Sequence, residues 1–179
     1  MDPDNRFNLY PDIWERIEKE GLVTPILQNL YPLLVFKIIK VDTLRKSFKF
    51  ENTHEEPIWS LDQENSHYRA VSFLSDSKSK FPLLNSESFL RLKTEQDYEL
   101  VTRLKKSQKP LGSFLLENWH SHELVYKQIC LKTIPTDCMP AVFEATTPTA
   151  VFLQRIIIVA AKHEFLIQDY FMKATLPLG

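Results

Sequence analysis

The stretch Leu153–Leu178, LQRIIIVAAKHEFLIQDYFMKATLPL, decides how this chain is to be read. It divides into two strands around a short polar turn, expected at Lys162-His163-Glu164. The first arm, Arg155 to Ala161, is almost continuously apolar and β-branched, the pattern of a strand buried on both faces. The second arm alternates. Phe165, Ile167, Asp169 and Phe171 share one face; Leu166, Gln168, Tyr170 and Met172 share the other. A carboxylate thus sits among three large apolar side chains, where burial costs several kcal/mol unless the acid is paired, hydrogen-bonded or protonated.

Working outward, 179 residues suffice for one well-cored domain, and no composition shift or linker divides residues 1–179. The chain is 44% hydrophobic and 12% aromatic, which argues for a folded globule. Gly21, Gly112 and Gly179 are its only glycines, so Gly-rich phosphate loops are excluded. With 22 basic and 23 acidic residues there is no bulk electrostatic case for nucleic acid or an anionic membrane. A single small anion held by a few arginines remains compatible with that balance.

Cys130 and Cys138 are too few for a disulfide framework and lack a zinc-type partner pair, consistent with reduced thiols in a cytoplasmic protein. The opening MDPDNRFNLYPD is unlike a secretory or transit sequence. No apolar run approaches the roughly 18–20 residues needed to span a bilayer. The expected state is a cytoplasmic monomer or weak oligomer.

Before the hairpin, helices are expected over Pro11–Glu20, stopped by Gly21, and over Val23–Leu30. Leu33–Val41 reads as a strand at a sheet edge because its lysines point to opposite faces, with a weaker strand near Leu44–Phe50. His67–Leu74 and Pro82–Leu90 read as strands about a turn at Asp76–Lys80. Thr94 and Asp97 form a capping-box pattern opening a helix with Tyr98, Val101 and Leu104 along one side. Cationic Lys105 and Lys106 suit its C-terminal end. A short helix over Ser113–Trp119 and a strand over Glu123–Lys132 follow, then a proline-containing loop to Thr149 with one helical turn near Val142. The pattern is α+β, built on an antiparallel sheet.

Three charged residues stand on strand faces among apolar neighbours: Arg69, Arg155 and Asp169. They form either a structural ion pair inside the sheet or part of a site for an anion. His120-Ser121-His122 has the spacing of two metal ligands on one strand face but lacks a placed third, so no metal is assigned. His67 and His163 are acid–base candidates, with His163 expected exposed at the hairpin tip.

Three ordered blocks resemble the chorismate pyruvate-lyase family. They are Tyr68–Asp76 (YRAVSFLSD), Lys109-Pro-Leu-Gly112 with the helix after it, and the closing hairpin from Arg155 to Phe171. The resemblance covers roughly the C-terminal two thirds. It implies a single α+β domain whose antiparallel sheet and helical flaps enclose a pocket. It also implies that Arg69 binds a substrate carboxylate, that the Leu111 backbone and Arg155 line the same pocket, and that Asp169 takes the place of the catalytic glutamate. The implied reaction removes pyruvate from chorismate, leaving 4-hydroxybenzoate, a quinone precursor, without metal or organic cofactor. A non-catalytic protein of the same fold that binds an aromatic carboxylate is the alternative, and an interaction module with a structural Arg–Asp pair is a third. This chain departs from the family pattern at Asp169 itself, at Leu153-Gln154 where Trp-Gly is frequent, at Lys162-His163 in place of a glycine, and in lacking a proline after Phe171.

Overall fold

The computed structural model describes residues 16–17, 19, 21–45, 65–145 and 147–172. The closing hairpin lies at the heart of its sheet. β1 (Val35–Arg45), β2 (Asn65–Leu74), β3 (Leu84–Leu92), β4 (Leu124–Pro135), β5 (Thr149–Val159) and β6 (His163–Met172) form one sheet in the order β1-β2-β3-β6-β5-β4. Every neighbouring pair is antiparallel. Three α-helices lie wholly among the described residues: α1 (Val23–Leu30), α2 (Glu95–Ser107) and α3 (Leu111–Asn118). The chain is thus a single α+β domain, as its pattern implied. No helix among the described residues is long and apolar enough to cross a membrane.

The three helices pack on one face of the sheet. Phe165 and Ile167 of β6 meet Leu100, Leu104, Phe114 and Leu115 there, while Phe171 joins Val23, Ile26 and Leu27 of α1. The alternate residues Leu166, Tyr170 and Met172 enter a separate cluster on the opposite face, with Met139 and Phe143 laid over it. Both faces of β6 are therefore buried, and an acid on either must find partners.

Several details differ from the sequence reading, each for a local reason. The tight turn of the closing hairpin falls at Ala160-Ala161, both at positive φ (51° and 56°), with Lys162 N–H donating to Val159 O at 3.1 Å. Val159 pairs with His163, so His163 and Glu164 belong to β6 rather than to the turn. His163 is buried, with Nδ1 2.7 Å from Asp97 Oδ1. Asp97 is also the capping-box residue of α2, as expected. Burial would raise the Asp97 carboxyl, but the hydrogen bonds from His163, Thr94 and Lys93 outweigh it and hold the group below its usual range. On α2, Tyr98 is exposed, and Leu100, Val101 and Leu104 form the buried stripe.

A bulge at Ile39 shifts the β1 register between Ile38 and Lys40. Lys37 and Lys40 consequently pair with Ser72 and Ala70 and lie on one face, not on two. β1 is an edge strand, as the lysines suggested. β4 continues to Pro135, and the helical turn of the following loop is at Thr136–Cys138 rather than near Val142. α3 begins at Leu111, two residues earlier than expected. Of the expected Pro11–Glu20 helix, residues 16, 17 and 19 are helical, and Gly21 at φ 71° ends it with a bond from its N–H to Ile17 O. The rest of that helix, and the Leu44–Phe50 strand beyond residue 45, lie outside the described residues.

Positive φ at both central residues of the turn closed by the Lys162–Val159 bond, within a three-residue connection, favours Asn-Gly over Ala-Ala. Each alanine there is strained by about 1–2 kcal/mol. Replacing the pair, Ala160→Asn with Ala161→Gly, is expected to raise stability by about 1–2 kcal/mol in urea unfolding. A lowered midpoint would contradict this turn geometry.

Candidate functional site

Sheet register brings the sequence candidates together. Arg69 of β2 pairs with Ser88 of β3, Ser88 with Ile167 of β6, and Ile167 with Arg155 of β5. All four side chains point to the helical face. With strands about 4.8 Å apart, the two arginine Cα atoms stand roughly 14 Å apart in one row. The adjacent row carries Val71, Ser86 and Asp169. Small serines thus floor the space between two long cationic side chains.

That space is a cavity of about 40 Å³, lined by Arg69, Ser86, Ser88, Arg155, Asp169 and Leu111, among others. Leu22–Thr24 at the start of α1 and Leu111-Gly112 of α3 form its roof. Gly112 keeps that approach close: a Cβ there would lie 3.1 Å from Thr24 Oγ1, a contact tight enough that Thr24 would have to give by a few tenths of an ångström. The Pro-Leu-Gly block therefore has a packing reason: it lets α3 close against α1.

The two arginines differ in kind. Arg155 Nη2 donates to Asp169 Oδ2 at 2.6 Å, with both side chains almost wholly buried. Its Nη1 donates to the carbonyl of Gly21, whose left-handed backbone turns that oxygen inward. Asp169 Oδ1 accepts from Ser86 Oγ at 2.5 Å. The acid that the sequence left unanswered is held at both oxygens, by a cation and a hydroxyl.

Arg69 has no such counterpart. It is 4% exposed, its Nη2 donates to Lys109 O at 2.7 Å, and its guanidinium lies 5.0 Å over the Phe36 ring. Its buried Nη1 has no hydrogen-bond partner, and no carboxylate among the described residues pairs with it. Burial pulls its pKa down to about 10. A buried cation with an unpaired donor, on a residue that lines a cavity, is costly unless an anion meets it.

Sequence reasoning found Arg69, Leu111, Arg155 and Asp169, and all four line this one cavity. It missed Ser86, Ser88 and Gly21, whose roles depend on cross-strand register and backbone direction. It also missed Glu87 on the opposite face. Glu87 is 2% exposed and accepts from Tyr68 Oη at 3.0 Å, Tyr170 Oη at 2.9 Å and Gln168 Nε2 at 2.7 Å. Gln154 extends this chain by donating to Gln168. Burial, reinforced by the Glu87 charge, raises both tyrosine hydroxyls. Flanked by Ser86 and Ser88, Glu87 resembles a solvent-facing residue in sequence.

His120 and His122 stack ring on ring, with centroids 5.4 Å apart, on an irregular connection rather than a strand. No group of three or more His, Cys, Asp or Glu among the described residues is placed to hold a metal ion. His67 is buried beside Arg69. His163 is committed to Asp97, away from the cavity.

No protein-family model matches this chain, and no curated protein sequence matches it.

The contrast between the arginines predicts opposite stability effects. Arg155→Met strands the Asp169 carboxylate and is expected to cost about 3–5 kcal/mol in denaturant unfolding. Arg69→Met removes a buried charge that lacks a counter-ion, and is expected to leave stability unchanged or to raise it by about 1–2 kcal/mol. Equal losses in the two variants would show that Arg69 is structural.

Proposed function

We propose that the protein is a cofactor-free lyase of the chorismate pyruvate-lyase kind, converting chorismate to 4-hydroxybenzoate and pyruvate. The observation that carries this reading is the buried, unpaired Nη1 of Arg69, a residue that lines one cavity with Asp169, Arg155 and Leu111. These are the residues on which the family resemblance converges. A dianionic substrate supplies the charge that Arg69 lacks, and its ring suits the Val71 and Ile167 walls.

The partners of Asp169 support a part for it as the base. Paired with the Arg155 guanidinium and accepting from Ser86, the carboxylate acts first as a base. It takes the hydrogen from the ring carbon bearing the hydroxyl as the C–O bond to the enolpyruvyl group breaks. The proton then returns to the methylene carbon of the departing group, giving pyruvate. Protons balance, and the gain of aromaticity drives the elimination. Arg69 and Arg155 stabilise the carboxylates without moving protons themselves.

At about 40 Å³ the cavity holds only a few waters. Binding therefore requires the roof formed by Leu22–Thr24 and Leu111-Gly112 to move outward. The second reading, a binding protein for an aromatic carboxylate, is favoured by one feature: both Asp169 oxygens are already engaged.

Purified protein incubated with chorismate, with pyruvate and 4-hydroxybenzoate followed together, separates the two. Turnover is expected, falling about 10²–10⁴-fold in Asp169→Asn. Asp169→Glu, which keeps the charge opposite Arg155, is expected to retain turnover, so that loss of the base is distinguished from misfolding. Absence of product above background would sink the lyase reading. Thermal stabilisation by 4-hydroxybenzoate that vanishes in Arg69→Met would then establish the binding protein.

A further inference from the structure

Arg69 also borders a second cavity, of about 270 Å³, between the β1–β2 edge and the end of α2. Ile38, Val41 and Leu104 supply its apolar walls; His67, Arg69 and Lys105 supply its polar groups. We propose that this cavity is a separate binding site for a monocyclic organic carboxylate, its acid group held by His67, Arg69 and Lys105 and its ring by the three aliphatic side chains.

The backbone builds this chamber deliberately. Because the β1 register shifts at Ile39, Ile38 and Val41 pair with Val71 and Arg69 and share the Arg69 face, Ile38 half-buried and Val41 exposed at its rim. A regular strand would send one of them to the other side. His67, two residues before Arg69, shares that face.

Two buried nitrogens of these groups have no hydrogen-bond partner among the described residues. His67 is 2% exposed, and its buried Nε2 has no hydrogen-bond partner. Leaving such a nitrogen unpaired is costly, as is the unpaired Nη1 of Arg69. Both atoms belong to residues lining one cavity with no acid in its walls. Burial first, then Lys105 and Arg69, lower the His67 pKa to about 4, so the ring is neutral near pH 7 in a field of two cations. Its neutral Nε2–H tautomer donates to a carboxylate oxygen.

The end of a helix presents carbonyls that would repel an anion, but two of the last four of α2, and the Lys109 carbonyl just beyond it, are engaged. Ser107 Oγ donates to Leu104 O at 2.7 Å, Gln108 Nε2 to Lys105 O at 3.1 Å, and Arg69 Nη2 to Lys109 O at 2.7 Å. The charged residues lining the cavity, Arg69 and Lys105, are both cationic. The volume falls just below the range of about 300–1,000 Å³ typical of drug-sized pockets, which suits a single ring rather than a nucleotide.

The test is nuclear magnetic resonance of the full chain titrated with benzoate, read at the His67 imidazole and the Gln108 amide for this cavity and at the Gly112 amide for the inner one. Benzoate is expected to move the His67 and Gln108 signals, and uncharged benzamide to move neither. The exposed-site variant Lys105→Glu is expected to weaken the His67 response about tenfold or more while leaving the Gly112 response intact. A response at His67 without one at Gly112 keeps this site and removes the inner one. Unmoved His67 signals, an undiminished response in Lys105→Glu, or an equal response to inorganic phosphate would overturn the assignment.

Discussion

The buried ion pair between Arg155 and Asp169 is the interaction on which the arrangement of this domain depends. It joins adjacent central strands, and through the second arginine nitrogen it fixes the Gly21 carbonyl at the entrance to α1. Through Ser86 it reaches β3. Sheet, roof and cavity floor are thus tied to one pair of charges. Such pairs add little net stability compared with an apolar core, because desolvation offsets most of the Coulomb attraction. Their effect is positional: breaking one partner leaves a charge that the interior cannot solvate, so alternative placements of α1 are disfavoured.

Arg69 is intelligible against that pair. The same residue type, on the same face and in the same cross-strand row, has its charge met in one case and left open in the other. A protein stable by about 5–15 kcal/mol overall cannot keep an unmet buried cation without consequence. Stability given up at a site is the usual mark of a ligand that supplies the missing group. The two cavities that Arg69 borders, one beneath the α1–α3 roof and one at the β1 edge, are the places from which such a group would arrive.

Much of this was legible in the residues. The alternation of Phe165, Ile167, Asp169 and Phe171 placed the acid on a buried face, and the Thr94–Asp97 spacing marked the start of α2. What escaped depended on non-local geometry. That Arg69 and Arg155 share a row follows from the pairing of strands distant in sequence, as does the serine floor between them. The bulge at Ile39 is invisible in an apolar run such as LLVFKIIKV, yet it decides which side chains face inward. His163 was read as an exposed turn residue because its neighbours are polar; two alanines at positive φ took the turn instead. Glu87, between two serines, carried no sequence mark of burial. Asp169 was found, but its pairing with Arg155 was only one of two alternatives until the register settled it.

The most direct test of the central claim, that Arg69 is a cation awaiting a carboxylate, is a crystal structure of the protein with 4-hydroxybenzoate. A carboxylate oxygen about 2.7–2.9 Å from Arg69 Nη1 is the predicted result, with the Arg155–Asp169 pair intact beside it. A structure in which the ligand sits elsewhere and Arg69 Nη1 has no ligand contact would contradict the account.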